Sequence, residues 1–570
     1  KFPQPIFAEF LLDVRERTDE ATREAIDAAV RMTLDRMAVG GMHDQVGGGF
    51  HRYSVDRFWT VPHFEKMLYD NGQLAHLYAR AAEVYGDPYC AQVAKRVCDY
   101  VLREMTDNDG GFWSAQDAEV DHREGLNYLW TPDEFDAVLG PEAEFAKAVY
   151  GLDGSANFQD PHHPDEAPRW VLRLEARPER VAQRMGMEPV AFGARLARVN
   201  STLLQHRDTR KQPGTDDKVL AAWNGLMIAG LVRTAGALGA EEGRVYAEAA
   251  ARAGRFVLAS MRDVDGGLLR VYRAGKAAVP APLEDHAFLT HGLMALAACP
   301  MTEDPAWLAA ARALMDHAER AFGDRSGGYY DTAAGRTDLF LRAKTTHDGA
   351  TPSASGVMLR NMVELHALTG EGVWLDRAAA LLTAVSGAVD GAPVGTLNPL
   401  RAALAMMALG ETLGGRYAFA TGEAELTGPK PKSPVTVLAN TEKVEVSADT
   451  PGVFKVALQI DPGWHVVAAD PGAEGDLAGM LRGLRVGLTR GSGVAVYADY
   501  PAGESYGVEG VGRILVHHGR VEFDVVLEHA PGVGPSPGTP VLGVQFQACT
   551  DTECAPVRAV ELEIGVVVRA

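Results

Sequence analysis

The chain has 570 residues, 46% hydrophobic and 23% charged, with a formal net charge of −21 from 76 acidic against 55 basic side chains. That is too long for one ordinary domain and has a globular composition, and the negative field, with no local Lys/Arg stripe to offset it, excludes nucleic acid as an expected partner. No run of about 18 apolar residues appears, so no membrane span is expected, and five cysteines argue against a disulfide scaffold.

The sequence opens at Lys1 with neither initiator Met nor signal peptide, and reads as a fragment or processed product. Helical patterning then continues to about residue 412. Asp19 to Met37 places Ile26, Val30, Leu34 and Met37 on one face, with acids in the first turn and Gly40-Gly41 as the stop. Phe64, Met67, Leu68, Leu74, Leu77, Tyr78 and Ala81 repeat the pattern. His63, Lys66, Asp70 and Gln73 then form one polar stripe on that helix. Cys90 and Cys98 within one helix, and Cys299 at the end of another, read as small buried hydrophobes. Val219 to Leu238 is apolar nearly all round, as expected for a helix enclosed by others.

Between helices a glycine signature recurs: Gly47-Gly48-Gly49-Phe50, Gly110-Gly111-Phe112-Trp113, Gly266-Gly267-Leu268 and Gly327-Gly328-Tyr329. Adjacent members of the first and last pairs lie roughly 60 residues apart, the length of one helical hairpin with its loops. Two to three further units and an irregular insert near 153–168 are expected between Gly111 and Gly267. Hairpins that bury their faces only against neighbours are satisfied by a closed ring of six. From about Gly414 the texture changes. Thr427 to Pro434 has linker composition, and short β-branched runs follow: 444–446, 453–460, 485–488, 494–497, 513–516, 521–527, 541–547 and 557–568. Turn residues separate them at sandwich-like intervals. The expected architecture is multidomain: an all-α six-hairpin (α/α) toroid over 1–412, a linker over 413–436, and an all-β immunoglobulin-like sandwich over 437–570.

Polar and aromatic residues concentrate at the hairpin starts. The first group holds His51, Tyr53, Trp59, His63, Glu65 and Asp70; the second Trp113, Asp117 and Glu119; the third Lys218, Trp223 and Asn224; the fourth Glu284, Asp285 and His286. Aromatic rings beside carboxylates and imidazoles suit sugars, which are apolar on their faces and polar at their rims. A ring would bring these groups to one mouth, although each group taken alone can equally be a cap or an ion pair. Asp107 to Gly110 is a turn rather than a calcium loop, because Met105 and Gln116 fall where ligands belong. His162-His163 lacks zinc spacing, and no Walker loop or Ser-centred elbow appears. No metal or other cofactor is expected.

The stretch Gly47 to Asn71, with its His-Phe-Glu-Lys-Met-Leu-Tyr-Asp-Asn string, together with Asp117-Ala118-Glu119, Lys218 to Asn224 and Glu284-Asp285, resembles the spermatogenesis-associated protein 20 family. That resemblance implies an N-terminal thioredoxin-like domain, absent here, followed by a six-hairpin toroid like those of sugar epimerases and glycosidases. Lys1-Phe2-Pro3 matches the junction just after the thioredoxin-like domain. The tail, through Asp461 to His465, Ser505-Tyr506-Gly507 and Gln547 to Pro556, resembles the N-terminal domain of the thiol:disulfide interchange protein DsbD. This implies that Cys549 and Cys554 exchange electrons with a thioredoxin-like partner under an aromatic cap. It implies the cell envelope as compartment, with the cytoplasm as the alternative.

The leading reading is therefore a sugar-processing or relic sugar-processing toroid that takes a small-molecule or oligosaccharide ligand. His51, His63, Asp70, Asp117 and Asp285 are its acid/base candidates. Tyr53, Trp59, Glu65, Trp113, Glu119, Lys218, Trp223, Asn224, Glu284 and His286 are its substrate-binding candidates. Two histidines suit an epimerase, and two carboxylates roughly 5–9 Å apart suit a glycoside hydrolase. The alternative is a redox or protein-interaction protein in which the toroid is a scaffold. Cys549 and Cys554 flank a predicted turn, where a disulfide can form, either as a static staple or as a reversible pair.

Overall fold

The structure is a computed structural model; it describes all residues except 161, 326, 336–338, 340, 413–432, 448–449, 471, 473–482, 491–493, 509–511, 530–540, 551–556, 563 and 569–570. The chain divides into two compact units, one of 1–320, 347–378 and 397–412 and another of 321–346, 379–396 and 413–570. Each is described separately. The division does not fall at a single point, because two segments before residue 412 group with the C-terminal residues. The expected 413–436 linker lies almost wholly outside the described residues.

The first unit is built from helices α1 (Pro5–Val14), α2 (Glu20–Val39), α3 (Leu68–Tyr85), α4 (Pro88–Glu104), α5 (Pro132–Leu139), α6 (Ala143–Tyr150), α7 (Pro178–Arg184), α8 (Pro189–Arg207), α9 (Ala221–Ser260), α10 (Leu283–Ala298), α11 (Pro305–Phe322), α12 (Ala354–Thr369) and α14 (Leu397–Thr412). It also holds the start of α13 (Gly372–Gly391). The boundaries follow from the local chemistry. Asp19 caps α2 by accepting from the Thr22 N–H, and Gly40 ends it. Gly86 closes α3 in the left-handed region at φ 60°. Thr131 and Glu134 form a capping box on α5. Gly239, at φ 81° and ψ 172°, breaks α9 into two halves that fold back on each other.

Helices α1, α3, the first half of α9, α10, α12 and α14 touch in cyclic order, with α14 returning to α1. This is a closed ring. Helices α2, α4, the second half of α9, α11 and α13 are the chain partners of the first five, and among the described residues no helix follows α14. Glycines permit the close approach: a Cβ on Gly225 would lie 2.3 Å from the Phe288 carbonyl oxygen, and one on Gly292 would lie 2.6 Å from the Gly225 oxygen. The segment between Gly111 and Gly267 contributes one ring hairpin, from α9, rather than two or three. Helices α5 to α8 instead pack around their own core, with Trp130, Phe135, Tyr150, Phe192 and Leu203 fully buried.

Two further expectations are corrected here. The unit is not all-α, because strands Lys66–Met67, Trp113–Gln116, Thr215–Leu220, Leu269–Arg273 and Lys276–Pro280 pair into a five-stranded antiparallel sheet. The helix expected from Phe64 starts only at Leu68, so His63 and Lys66 lie on short strands and the polar stripe does not form. Lys66 is fully buried, and its Nζ donates to Asp44 Oδ2 at 2.8 Å and to the Gly48 carbonyl at 2.9 Å. Among the described residues α13 is long and apolar enough to cross a membrane by length and composition, at mean hydropathy 1.2. A count of unbroken apolar residues misses it, because Asp376 and Arg377 interrupt the run.

In the second unit, Val435–Ala439, Gly452–Ile460, Arg520–His529 and Val494–Asp499 form one antiparallel sheet, in that order. Arg485–Arg490, Val541–Phe546 and Arg558–Glu561 form another, and Glu504–Val508, Gly512–His517, His465–Val467 and Ala548–Cys549 a third. Alternation places Phe454, Val456, Leu458, Phe523, Val525 and Leu527 in one apolar core. Every predicted run is a strand or contains strands; Val435–Ala439, His465–Val467, Glu504–Val508 and Ala548–Cys549 are additional.

Candidate functional site

Three of the short strands lead toward inner helices: Lys66–Met67 into α3, Thr215–Leu220 into α9, and Lys276–Pro280 ahead of α10. The sheet thereby holds these three N-termini together. Asn71 and Asn224 lock the preceding glycine turns to them. Asn71 accepts from the Phe50 N–H at 2.7 Å and donates to the Phe50 and Met67 carbonyls. Asn224 treats Phe112 and Leu220 in the same way. Every one of these bonds is made to backbone, so Asn224 clamps the turn to its helix.

At this rim His63 Nδ1 lies 2.6 Å from Glu124 Oε1 and its Nε2 3.7 Å from Glu65 Oε2, while its ring stacks on Tyr53 at 4.9 Å. The Glu124 hydrogen bond raises the His63 pKa against partial burial. Arg52 donates to Glu65 at 2.9 Å and to the Tyr69 hydroxyl at 3.3 Å, and Tyr69 meets Trp223 edge-on at 4.8 Å. Asp70, in the first turn of α3, is 2% exposed; its Oδ2 makes no hydrogen bond, and burial pushes its pKa well above the usual carboxylate range. Asp285, fully buried in the first turn of α10, accepts from the Ala222 N–H at 2.8 Å and so caps α9. Burial, opposed by Arg270, raises its pKa to about 7. Arg270 also pairs with Glu284 at 2.7 Å.

Of the other sequence candidates, Trp113 and Lys218 lie on strands of the same sheet and His286 in the first turn of α10. His51 is 1% exposed between Phe64 and Tyr128, its Nδ1 2.8 Å from the Phe64 carbonyl, and burial lowers its pKa to about 3. Asp117 and Glu119 are exposed, and Asp117 Oδ1 accepts from the Glu119 N–H within its own turn. Trp59 is buried with its backbone against Gly40. Trp113 donates to Asp107, Lys218 pairs with Asp216, and His286 stacks on His317 at 5.1 Å.

Inside the ring lies a group that sequence reading missed. A small cavity of about 50 Å³ is lined by α1, α3, α9, α10, α12 and α14, all within the first unit. His76 and His291 both face it, with ring centroids 6.2 Å apart. Each is backed by a carboxylate: His76 Nδ1 lies 2.8 Å from Glu9 Oε1, and His291 Nδ1 lies 3.7 Å from Glu364 Oε2. Burial lowers the His76 pKa to about 4 in spite of Glu9, so the ring is neutral at pH 7. Burial would raise the Glu9 pKa, but Arg80, His76 and Arg401 hold it well below the usual range. Among the described residues no group of three or more His, Cys, Asp or Glu side chains is arranged to hold a metal ion.

No family model matches the chain. It is 38% identical to mouse spermatogenesis-associated protein 20 over 427 residues, covering 69% of this chain and 53% of that protein. It is 36% identical to the human protein of the same name over 435 residues, covering 70% and 54%. The chain thus spans about half the length of the curated relatives it matches. Solved structures similar to it include an alpha-mannanase of Bacteroides thetaiotaomicron (10% identity, 68% of this chain and 74% of that chain, TM-score 0.40). They also include a cellobiose 2-epimerase of Bacillus thermoamylovorans (7% identity, 67% and 75%, TM-score 0.39). The DsbD N-terminal domain of Neisseria meningitidis matches at 20% identity over 23% of this chain and 83% of that chain, TM-score 0.15. Over about 70% of its length the chain is a homologue of spermatogenesis-associated protein 20.

Proposed function

We propose that this homologue of spermatogenesis-associated protein 20 binds a small carbohydrate-sized molecule in the lumen of its helical ring and moves a proton on it, with His76 and His291 as the acid/base pair. The observation that carries this reading is the pair of carboxylate-backed imidazoles on one cavity wall. A His76 Nδ1–H donated to Glu9 leaves Nε2 unprotonated, and a neutral imidazole in that tautomer accepts a proton. His63, Asp70 and Asp285 stand at the rim. Asp70 and Asp285, both held toward the protonated form, supply general-acid chemistry of the kind a hydrolase uses.

The test is incubation of the full chain with a panel of mono- and disaccharides in D2O, read by proton NMR. The expected result is loss of one carbon-bound proton signal from a panel member, abolished in both His76→Asn and His291→Asn. If no sugar exchanges, hydrolyses or gives a saturation-transfer signal, the ring is a scaffold.

A second reading concerns the C-terminal unit, whose sheets we take as a sandwich of the immunoglobulin type. Cys549 is disulfide-bonded and buried, and pairs across the strands with His465; the His465 ring lies 4.8 Å from that of Tyr506. Cys554 lies outside the described residues. This reading assigns the disulfide to thiol exchange with a thioredoxin-like protein, which must first gain access to the buried Cys549 sulfur. Alkylation of Cys549 and Cys554 across a series of dithiol buffers tests it, and an unchanged count of reactive thiols at every poise removes the redox role.

A further inference from the structure

We infer that residues 349–352 are a strap across the mouth of the lumen, latched by Gln73, and that a ligand reaches His76 and His291 only when the strap lifts. The inference rests on the lumen reading above and adds how the lumen is entered.

The two imidazoles are deep. Each is the ninth residue of its helix, His76 in α3 and His291 in α10, and so stands about 12 Å along the axis from the helix N-terminus. The space beside them is about 50 Å³, room for a few water molecules, whereas pockets for organic ligands run to roughly 300 Å³ or more. A carbohydrate-sized molecule therefore enters only if part of the wall moves.

Most of that wall is expensive to move. Its helices pack in a closed ring, and Glu9 ties three of them together: it accepts from Arg80 of α3 and, at 2.8 Å, from Arg401 of α14, while His76 Nδ1 lies 2.8 Å away. Displacing α1, α3 or α14 would break buried charge pairs. Among the residues that line the cavity, Pro352 alone lies outside a helix.

The span that holds Pro352 is fixed at its ends and lightly held between them. At one end buried Asp348 accepts from the Ser353 and Asn398 N–H groups, each at 2.8 Å, and from Asn398 Nδ2 at 2.9 Å. At the other, Ser353 caps α12 by accepting from the Gly356 N–H. In between, Ala350 is exposed and Gly349, Thr351 and Pro352 are half-buried. Among the described residues one hydrogen bond joins these four to a ring helix: Gln73 Nε2 donates to the Ala350 carbonyl at 3.0 Å. The Gly349 N–H turns back on the Thr351 carbonyl within the span. Such a segment can open locally while both anchors stay in place. Gln73 also donates to the Tyr69 carbonyl at 3.1 Å, which keeps its side chain at the mouth. It precedes His76 by three residues on the same helical face, so releasing the latch uncovers that imidazole next.

Carbethoxylation of the full chain at pH 7 by diethyl pyrocarbonate, read at each histidine by peptide mass spectrometry, tests the strap. The reagent attacks an unprotonated imidazole nitrogen and is too large for the closed cavity. In the unaltered chain His76 and His291 should label much more slowly than the half-exposed His63. Gln73→Ala removes one neutral hydrogen bond and should speed labelling of the lumen pair about fivefold, while His43 and His51, buried away from the cavity, stay unlabelled. Pro352→Gly, which alters the strap and no helix, should do the same and decides the matter if Gln73→Ala fails to fold. The strap is overturned if the lumen pair labels as fast as His63 in the unaltered chain, or if neither variant changes its rate. Labelling of His43 and His51 in step with the lumen pair in both variants is general loosening and overturns it as well. Sugar exchange in D2O with an unchanged labelling rate removes the strap and leaves the lumen chemistry; faster labelling with no sugar exchanged, hydrolysed or bound leaves the strap and removes the chemistry.

Discussion

Replacing Asp44 with Asn would leave two buried cations without a counter-charge, and the structure sets the size of the consequence. The Asp44 carboxylate accepts from Lys66 at 2.8 Å, from Arg207 at 2.8 and 3.0 Å, and from the Val46 and Gly47 N–H groups at 3.0 Å. Burial opposes its charge, yet Arg207 and Lys66 hold its pKa well below the usual range. Asp44→Asn keeps the shape and the acceptor for the two N–H groups. Removing one side of a buried ion pair costs roughly 3–5 kcal/mol. Lys66→Met is milder, because Asp44 keeps Arg207 and both N–H groups. Only the Gly48 carbonyl loses a donor, at about 1–3 kcal/mol, and the new side chain packs between Tyr100 and Tyr128, whose rings Lys66 Nζ now faces at 4.1 and 4.9 Å. The double variant leaves one cation instead of two, so its cost should fall below the sum by about 1–3 kcal/mol. Urea titration of the full chain and the three variants, followed by tryptophan fluorescence at pH 7, measures this. Lys66→Met costing more than Asp44→Asn, or strict additivity, refutes Asp44 as the shared counter-charge of Lys66 and Arg207.

Three further outcomes follow from single contacts. Gly225→Ala should cost about 3 kcal/mol, because its Cβ meets the immovable Phe288 carbonyl at 2.3 Å. Gly86→Ala, at φ 60° with nothing near, should cost only about 1 kcal/mol, and equal urea midpoints for the two would refute the close-packing argument. Asp285, at about 7 in the folded chain against 3.8 ordinarily, makes the folded state bind more protons between those values. Stability relative to Asp285→Asn should therefore be greatest below about pH 4 and fall by up to about 4 kcal/mol as pH rises to 7; parallel pH profiles would show that the carboxyl is not held protonated. Glu124→Gln should lower the His63 pKa, and with it the stabilisation that is present below the unfolded His pKa and lost as pH rises through the folded one. Carbon-bound ring proton shifts followed by NMR report it, and an unmoved titration would place the cause elsewhere.

The fold was legible where local chemistry and tertiary structure agree. Asp19 as a cap, Gly40 as a stop and the glycine turns before Phe50 and Phe112 all act within a few residues. The β runs after residue 440 were legible because alternation registers burial directly. The segment from His63 to Gln73 was misread for the opposite reason. Phe64, Met67 and Leu68 satisfy a helical repeat, but Lys66 pairs with Gln116 and its side chain is drawn to Asp44. No pattern within that segment reports a partner 22 residues upstream. The same limitation hid the sheet, whose strands are short and come from four hairpin connections.

The lumen shows a subtler limit. Motif density favours the rim, where His63, Glu65 and Asp70 crowd one stretch, whereas His291, Arg360 and Arg401 each interrupt an apolar run of their helices. Ring closure alone brings them together, and closure is a property of six helices at once. A signal was nevertheless present. Arg360 interrupts Val357-Met-Leu ahead of Asn-Met-Val363, and His291 interrupts Ala287-Phe-Leu-Thr ahead of Gly-Leu-Met294. A solitary ionisable side chain on a helix otherwise fit for burial is expensive to enclose unless something meets it. Where several such helices are predicted to share one axis, their lone charges face one another, and that inward set is a better candidate site than the polar clusters that happen to be contiguous in sequence.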